Sequence, residues 1–570
     1  MISLSKRTLK AVLENTVTQN ADRPALSWVD DHPITYADLG QHVQQLIEFL
    51  HREGVGQGDQ VAILSENQPH WGIAFFAITT MGAVAVPILP DFHASAIHHI
   101  LRHAECKAIF ISENQYEKLE AESLEHLQTK ILIETFDLIP SDTKKSGLKD
   151  ILQEGQKEFA KFKEAAKETA QKILKQDVDV AEDDLASIIY TSGTTGHSKG
   201  VMLTHRNIVF DAQQSTQVQM ITNQDRMLSI LPLAHTFECT VGMILPLMCG
   251  ACIYYLRKPP TARVLLPAMA KIRPTLMLSV PLVIEKIYKM RILPELKKNA
   301  LLRGATKLPM VRKQLHKIAG KKLLETFGGE LKFFGIGGAA LAPEVELFLR
   351  EAEFPYAIGY GLTETSPVSA GTNPAKTKYR STGPPLPEVE IKIDNPDPQT
   401  GEGEILIRGE NVMKGYYKDA ERTAAVLSED GWFRTGDLGM FDKEGYLYIK
   451  GRLKNMLLGP SGENIYPEEI EYIIGESDYV LESLVYQLDG KLVARVHLNY
   501  EKLDEEFAHK NLSDSQLKVK IEQLLEHLRK EVNAKVSSFC RLHKMIEQRD
   551  PFEKTPTKKI KRYLYTEEQN

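Results

Sequence analysis

Cysteine is scarce in this 570-residue chain: there are five, an odd number scattered between positions 106 and 540. That count does not make a disulfide framework and suits a reducing compartment. The opening MISLSKRTLK has no apolar signal core, so cytoplasm is the default expectation. An excess of charge of one sign is lacking too. Seventy Lys and Arg against 76 Asp and Glu leave a net charge of −6, which gives no global reason to bind nucleic acid or an anionic membrane. Any polyanion site must therefore be local. Uninterrupted hydrophobic runs of membrane length are also missing. Residues 71–90 and 239–256 carry no charge, but Gly82 and Pro87 break the first, and Pro246 and Gly250 the second. Each reads as a buried helix, a turn and a buried parallel strand. G-x-S-x-G occurs once, as GHSKG at 196–200, but inside a run of glycines and hydroxyl residues rather than at a strand-to-helix elbow, and no H-E-x-x-H helix occurs, so the usual serine-hydrolase and zincin readings have no support.

What is present is ordinary globular composition, 42% hydrophobic and 26% charged, over a length that accommodates two or more domains around a large core. From Tyr36 the residues Leu39, Val43, Leu46, Ile47 and Leu50 recur at helical spacing, and GVGQGD then leads into the strand-like VAIL at 61–64. The alternation continues to residue 112 and predicts an α/β layered domain with a mostly parallel sheet. Residues 144–177 carry one apolar stripe through Leu148, Ile151, Leu152, Phe159 and Phe162, a pattern for a surface helix. Residues 286–322 hold twelve Lys and Arg against the single acid Glu295, interleaved with Ile, Leu and Met. Such a segment can rest on anionic lipid, or form a solvated face of an otherwise acidic protein, which is the plainer reading. Over 387–450 the pattern turns to short strands (VEIKI, GEILIRG, GYLYIKG), suggesting a small antiparallel or barrel-like unit. After GRLKN a compact α+β segment follows, with two strands around Asp489-Gly490 and helices after them.

The stretch YTSGTTGHSKG at 190–200 combines glycines, hydroxyl side chains and one Lys, which together supply the backbone N–H groups, short donors and cation that a polyphosphate needs. It is not a Walker loop, because Gly200 rather than a hydroxyl residue follows Lys199. Two other patterns carry less. Cys249-Gly-Ala-Cys252 lies in an apolar run with no second pair, so it reads as structural rather than redox or metal-binding. FGIGGAA at 334–340 fits G-x-G-x-x-A between a strand and a helix, but lies deep in the chain and supports a strand-end loop near a nucleotide rather than an NAD site.

Downstream of the loop lie GYGLTETSP (359–367), GWFRTGDLG (431–439), GRLKN followed by SGENIYPEEIE (451–471), and KTPTKKIKR (554–562). In this order and spacing they resemble the adenylate-forming superfamily of acyl-CoA synthetases, firefly luciferase and peptide-synthetase adenylation domains, over nearly the whole chain. The resemblance implies ATP-driven activation of a carboxylate to acyl-AMP, then transfer of the acyl group to a thiol. It implies that Thr191, Ser192, Gly193, Thr194, Thr195 and Lys199 grip the β- and γ-phosphates, that Glu364 holds Mg²⁺, and that Thr363 meets the α-phosphate. Tyr360 and Gly361, with Gly338, Ala339 and Ala340, would form the adenine site, while Asp437 and Arg452 would bind the ribose hydroxyls. Lys559 would reach the α-phosphate and the substrate carboxylate, and His235 in LPLAHTFE would gate the carboxylate site, with ordinary packing as its plain alternative.

The same resemblance implies an N-terminal AMP-binding domain over 1–453 and a mobile C-terminal domain over 454–570, hinged at Lys454. Rotation would bring Gly462 and Glu463 to line a coenzyme A tunnel. The segments 144–177 and 286–322, LPLAHTFE, and TPTKKIKR with Lys558 in place of the usual Gly all look like long-chain fatty acyl-CoA synthetases. Fatty acid, ATP and CoA are then the expected substrates, and an acyl chain that partitions into lipid brings a membrane-surface contact for the basic segment into view. Three other readings stay open at this point: transfer to an acyl carrier protein, a non-catalytic lipid or nucleotide sensor, and an ordinary phosphate-transferring NTPase. Retention of Lys559, Glu364 and Asp437 argues against the sensor.

Overall fold

The computed structural model describes residues 4–120, 124, 126–140, 143, 145–148, 178–191, 198–298, 304, 307–458, 464–507, 514–555 and 559–566. The expected helix over 144–177 lies outside them except for 145–148. Helix and strand alternate from the start. Thr35 caps the helix Tyr36–Arg52 in a reciprocal box with Asp38, and its apolar face buries Leu39, Val43, Leu46, Ile47 and Leu50 as the spacing predicts. The first uncharged run folds as the helix Pro69–Thr80, a turn at Gly82 (φ +79°), and the buried strand Val84–Ile88. The second folds as a π-helix, Phe237–Ile244, one α-turn, Leu245–Met248, and the strand Cys252–Tyr255.

These elements assemble two sheets. One runs Tyr356–Ile358, Phe333–Ile336, Leu276–Ser279, Arg226–Leu228, Cys252–Tyr255, Pro24–Trp28, Ile34–Thr35, and is parallel up to its last pair. The other has a parallel centre of Val84–Ile88, Gln60–Leu64, Ala108–Ile111 and Thr129–Leu132, with Leu185–Thr191 beside Val84–Ile88. One hydrophobic core joins the two sheets. The helix Pro69–Thr80 is apolar on every side because it lies in that core, with Trp71, Phe75 and Phe76 fully buried and Trp71 stacked on Phe75 at 5.3 Å.

Residues 390–452 form the expected antiparallel unit of four strands, Glu390–Asp394, Gly403–Arg408, Phe433–Phe441 and Leu447–Arg452. Beyond it, Val480–Leu488 and Lys491–Leu498 pair around Asp489-Gly490, whose φ angles of +49° and +72° suit a tight primed turn, and Lys544–Glu547 adds a third strand. Helices Pro467–Gly475 and Asp514–Asn533 cover this sheet through Ile470, Ile474, Ile521, Leu525 and Leu528, which have a core of their own. All five cysteines are free. Among the described residues no helix is long and apolar enough to cross a membrane.

Candidate active site

The glycine- and hydroxyl-rich loop joins two antiparallel strands, Leu185–Thr191 and Lys199–Thr204, so it is the tip of a hairpin. Ser192, Gly193, Thr194 and Thr195 lie outside the described residues, while the two ends of the loop, Thr191 and Lys199, face each other in register. The Thr191 hydroxyl is buried and has no partner among the described residues, a donor left over for a ligand such as phosphate. Gly200 has to be glycine, since a Cβ there would stand 2.9 Å from Ile188 and 3.1 Å from the Tyr190 ring.

Lys199 points into a polar cluster. Its Nζ lies 2.9 Å from Glu364 Oε1 and donates to the Tyr416 hydroxyl at 2.7 Å, and that hydroxyl donates to the same Glu364 oxygen at 2.9 Å. Glu364 is buried, which by itself raises a carboxyl pKa. Lys199 and the Tyr416 hydroxyl outweigh burial and hold it below the ordinary range, so the group is a carboxylate. The turn that presents it is tightly built. A Cβ on Gly361 would sit 1.6 Å from the Pro367 carbonyl oxygen, and Asn411, fully buried, donates to the Thr365 and Val368 carbonyls. Among the described residues no cluster of three or more metal-ligating side chains occurs, and Glu364 is a lone ionised carboxylate. That suits a magnesium ion carried largely by nucleotide phosphates and water, not an all-protein cage.

Asp437 and Arg452 are direct partners across neighbouring strands, and Arg452 Nε meets Asp437 Oδ1 at 2.7 Å. The buried Tyr360 hydroxyl donates to Oδ2 at 2.8 Å. Burial raises the pKa of Asp437, against the pull of Arg452. Each carboxylate oxygen keeps a free lone pair for another donor. Gly338 (φ +84°), Ala339 and Ala340 form an exposed loop at the end of the strand Phe333–Ile336, and a Cβ on Gly338 would meet only Val280, at 3.8 Å. Thr363 begins the short turn that carries Glu364.

Lys559 comes to the same place from the far end of the chain. Its carbonyl accepts from Thr555 N at 2.8 Å, and residues 556–558 lie outside the described ones. Its pKa is lowered, first by the protein crowded around it and then by Arg452, while Asp437 and Glu364 act in the opposite direction. His235 has its pKa pushed down to about 4, first by burial and then by Lys559. A neutral imidazole results, and because Nδ1 accepts from Phe237 N at 3.2 Å, its proton stays on Nε2. Lys454 is exposed, on the short turn Leu453–Asn455 just after Arg452. Gly462 and Glu463 lie outside the described residues.

Beside Phe237 an apolar cavity of about 650 Å³, open mouth included, runs down the sheet face. Its walls include Phe237, Val241, Leu245, Leu278, Gly335 and Gly359. Side chains at Gly335 or Gly337 would collide with Leu278 or crowd Phe237, so these glycines keep the strand end open. Sequence reasoning missed this cavity, and it missed Tyr416. The stretch KGYYKD offered an aromatic pair beside glycine but no signal that Tyr416 lies against residues 217 and 52 positions away.

An AMP-binding enzyme family model matches residues 13–417. A putative acyl-CoA synthetase of Bacillus subtilis is 30% identical, with 85% of each chain covered. The peroxisomal long chain acyl-CoA synthetase 6 of Arabidopsis thaliana is 30% identical over 85% of this chain and 71% of its own. Among solved structures, ATP-bound MatB from Rhodopseudomonas palustris superposes with a TM-score of 0.74 at 22% identity, with 98% of both chains covered. The fold, the order of the motifs and these matches agree: the chain belongs to the AMP-binding enzyme family.

Proposed function

We propose that the protein is an AMP-forming ligase that activates long-chain fatty acids with ATP and passes them to coenzyme A. The observation that carries this reading is the apolar cavity, whose Phe237 wall stands two residues from His235, which in turn feels the charge of Lys559 beside Asp437 and Glu364. An alkyl chain fits the first and a carboxylate meeting a nucleotide fits the second.

In the first step a carboxylate oxygen attacks the α-phosphorus of ATP. The bond to the bridging oxygen breaks, acyl-AMP forms and pyrophosphate leaves. Lys199 and the hairpin tip from Thr191 to Thr195 take the β- and γ-phosphates. Glu364, released from Lys199 by the incoming phosphates, would hold Mg²⁺, which neutralises charge on the leaving pyrophosphate. Thr363 meets the α-phosphate, Tyr360 and Gly361 with the loop 338–340 enclose adenine, and Asp437 and Arg452 bind the ribose. The His235 Nε2–H can donate to the substrate carboxylate. Lys559 stabilises charge at the α-phosphate, and two charges ~4 Å apart at an effective dielectric near 20 interact by roughly 4 kcal/mol. In the second step the CoA sulfur attacks the acyl carbon and AMP leaves. Lys559 must move aside for the thiol, with a domain boundary at 453/454, Lys454 as the hinge, and Gly462 and Glu463 entering the tunnel. Contacts between the C-terminal unit and the body include polar ones such as Lys289 to the Gly475 carbonyl (3.1 Å) and Tyr466 to Glu402 (2.7 Å), and polar contacts of this kind suit a rotating domain.

An assay over a ladder of fatty acids, with CoA and holo-acyl carrier protein competing as acceptors, tests the reading. AMP release with palmitate and CoA supports it. Preference for the carrier protein would replace the acceptor, and no AMP with any carboxylate rejects the activity.

The basic segment adds a partner. Tyr288 and His316 both pack on Phe348, at 5.2 and 5.1 Å, so residues 281–296 and the helix Pro309–Thr326 lie side by side. Outward they present Leu282, Met290, Leu308, Met310 and Ile318, each at least 60% exposed, among exposed Lys286, Arg291, Lys307, Lys313 and Lys321. An anionic lipid surface matches that pairing of apolar and basic groups. Co-sedimentation with vesicles containing phosphatidylserine, lost in a Met290→Glu/Met310→Glu variant, is the expected result.

A further inference from the structure

Glu238 is an acid immediately before the uncharged run 239–256 beside the cavity, and it has no part in the proposed acyl transfer. Its residue is fully buried, in the π-helix Phe237–Ile244 that walls the cavity with Phe237 and Val241. Such helices are uncommon and concentrate at functional sites. The carboxyl turns away from the cavity. Oε1 accepts from Ser229 Oγ at 2.5 Å, the carboxyl also accepts from the backbone of Ile230, and Oε2 has no partner among the described residues. Ser229 and Ile230 begin the loop that ends at His235. Asn67, from the other sheet, holds the loop from outside: its amide donates to Ser229 Oγ at 3.0 Å and to the Leu231 carbonyl, and its oxygen accepts from Leu233 N at 2.8 Å. Room for the carboxyl comes from Gly242, where a Cβ would lie 2.7 Å from the Glu238 carboxyl carbon.

We propose that Glu238 is a positioning residue for the reaction: its carboxyl latches the 229–233 loop to the cavity helix, so that His235 and Phe237, which flank the latch, stay in register at the mouth of the acyl cavity. The inference rests on the acyl-activation reading. Burial pushes the Glu238 pKa up to about 8, so the latch works as a neutral acid with Oε1 accepting and the proton on Oε2. The titratable groups facing it are Tyr255 and Cys239, both buried and both shifted upward, so no cation among them stabilises the ionised form. As pH rises through about 8 the carboxyl becomes a buried charge held only by the Ser229 hydroxyl and the Ile230 backbone, with no cation beside it, and the cost of burying that charge falls on the latch.

The test is steady-state kinetics of the full chain with palmitate, ATP and CoA from pH 6.5 to 9.5. Glu238→Ala should raise KM for palmitate about tenfold at pH 7, the size of one buried hydrogen bond, and leave KM for ATP within about twofold. Glu238→Gln, a neutral mimic, should keep the wild-type KM at pH 7 and remove the rise in palmitate KM that the wild type shows above pH 8. Ser229→Ala and Gly242→Ala disturb the latch from either side and should each move palmitate KM in the same direction, which keeps the question open to measurement if Glu238→Ala does not fold. Equal shifts in palmitate and ATP KM, or a Glu238→Gln variant that behaves as Glu238→Ala, would overturn the inference. An inactive wild type would overturn the activity instead.

Discussion

Lys199 and Lys559 reach one polar cluster from opposite ends of the chain, and the structure treats them differently. Lys199 belongs to a strand and is held at Glu364 and the Tyr416 hydroxyl, with its ammonium also 4.3 Å from the Tyr416 ring centre. Lys559 stands near the C-terminal end of the chain, crowded but without an ion pair among the described residues. A charge already neutralised by a neighbour suits a resident grip that exchanges one anion for another. A charge held beside Asp437, Glu364 and Arg452 suits the role proposed above, delivery for a single step and withdrawal.

Substitutions can break or sharpen this contrast. The largest effect is expected at the delivered charge: Lys559→Ala should cut AMP formation by roughly 1,000-fold, the rate equivalent of about 4 kcal/mol. Glu364→Gln comes next. It strips Lys199 of its ionised partner and removes the candidate metal ligand, and should lower kcat/KM roughly 100-fold while raising the magnesium concentration needed for half activity. Tyr416→Phe removes only the hydroxyl that bridges the pair, so KM for ATP should rise about fivefold to tenfold and little else should change. If Tyr416→Phe equalled Glu364→Gln, the resident pair would depend on the hydroxyl rather than on charge.

The smallest effects are in proton binding. With its pKa at about 4, folded His235 stays neutral where an unfolded imidazole, at about 6.5, takes up a proton. The unfolded chain therefore binds more protons between those values, and stability falls as pH drops from 6.5 towards 4. His205, also at about 4 through burial, adds to the same loss. His235→Gln should flatten part of the decline in Tm between pH 7 and 5. Because Lys559 helps to hold the His235 pKa down, Lys559→Ala should move the imidazole titration seen by NMR upward. An unmoved titration would place Lys559 away from the gate.

Much of this was legible in sequence because it is local. Periodicity located the helix Tyr36–Arg52, Gly82 and Gly250 marked the turns in both uncharged runs while Pro87 and Pro246 proved to lie within the strand Val84–Ile88 and the helical turn Leu245–Met248, and Asp489-Gly490 marked its turn. The motif residues Lys199, Glu364, Asp437, Arg452 and Lys559, far apart in sequence, lie close together in the structure. What stayed hidden depends on contacts between distant segments. Tyr416 joins Lys199 only because Gly415–Tyr416 pairs with Lys199–Thr204 at the sheet edge. The Tyr360 hydroxyl is spent on Asp437 because two separate sheets meet there. Glu238 was visible as an acid in an apolar run, yet its role depends on Ser229 and Asn67, which no helical or strand period connects to it.

The most direct measurement separates the two half-reactions in Lys559→Ala. Pyrophosphate exchange into ATP with palmitate reports adenylation, and thioester yield from preformed palmitoyl-AMP and CoA reports transfer. A charge delivered for adenylation alone predicts that exchange is lost while thioester formation stays within a few-fold of the wild type; equal loss of both would contradict it.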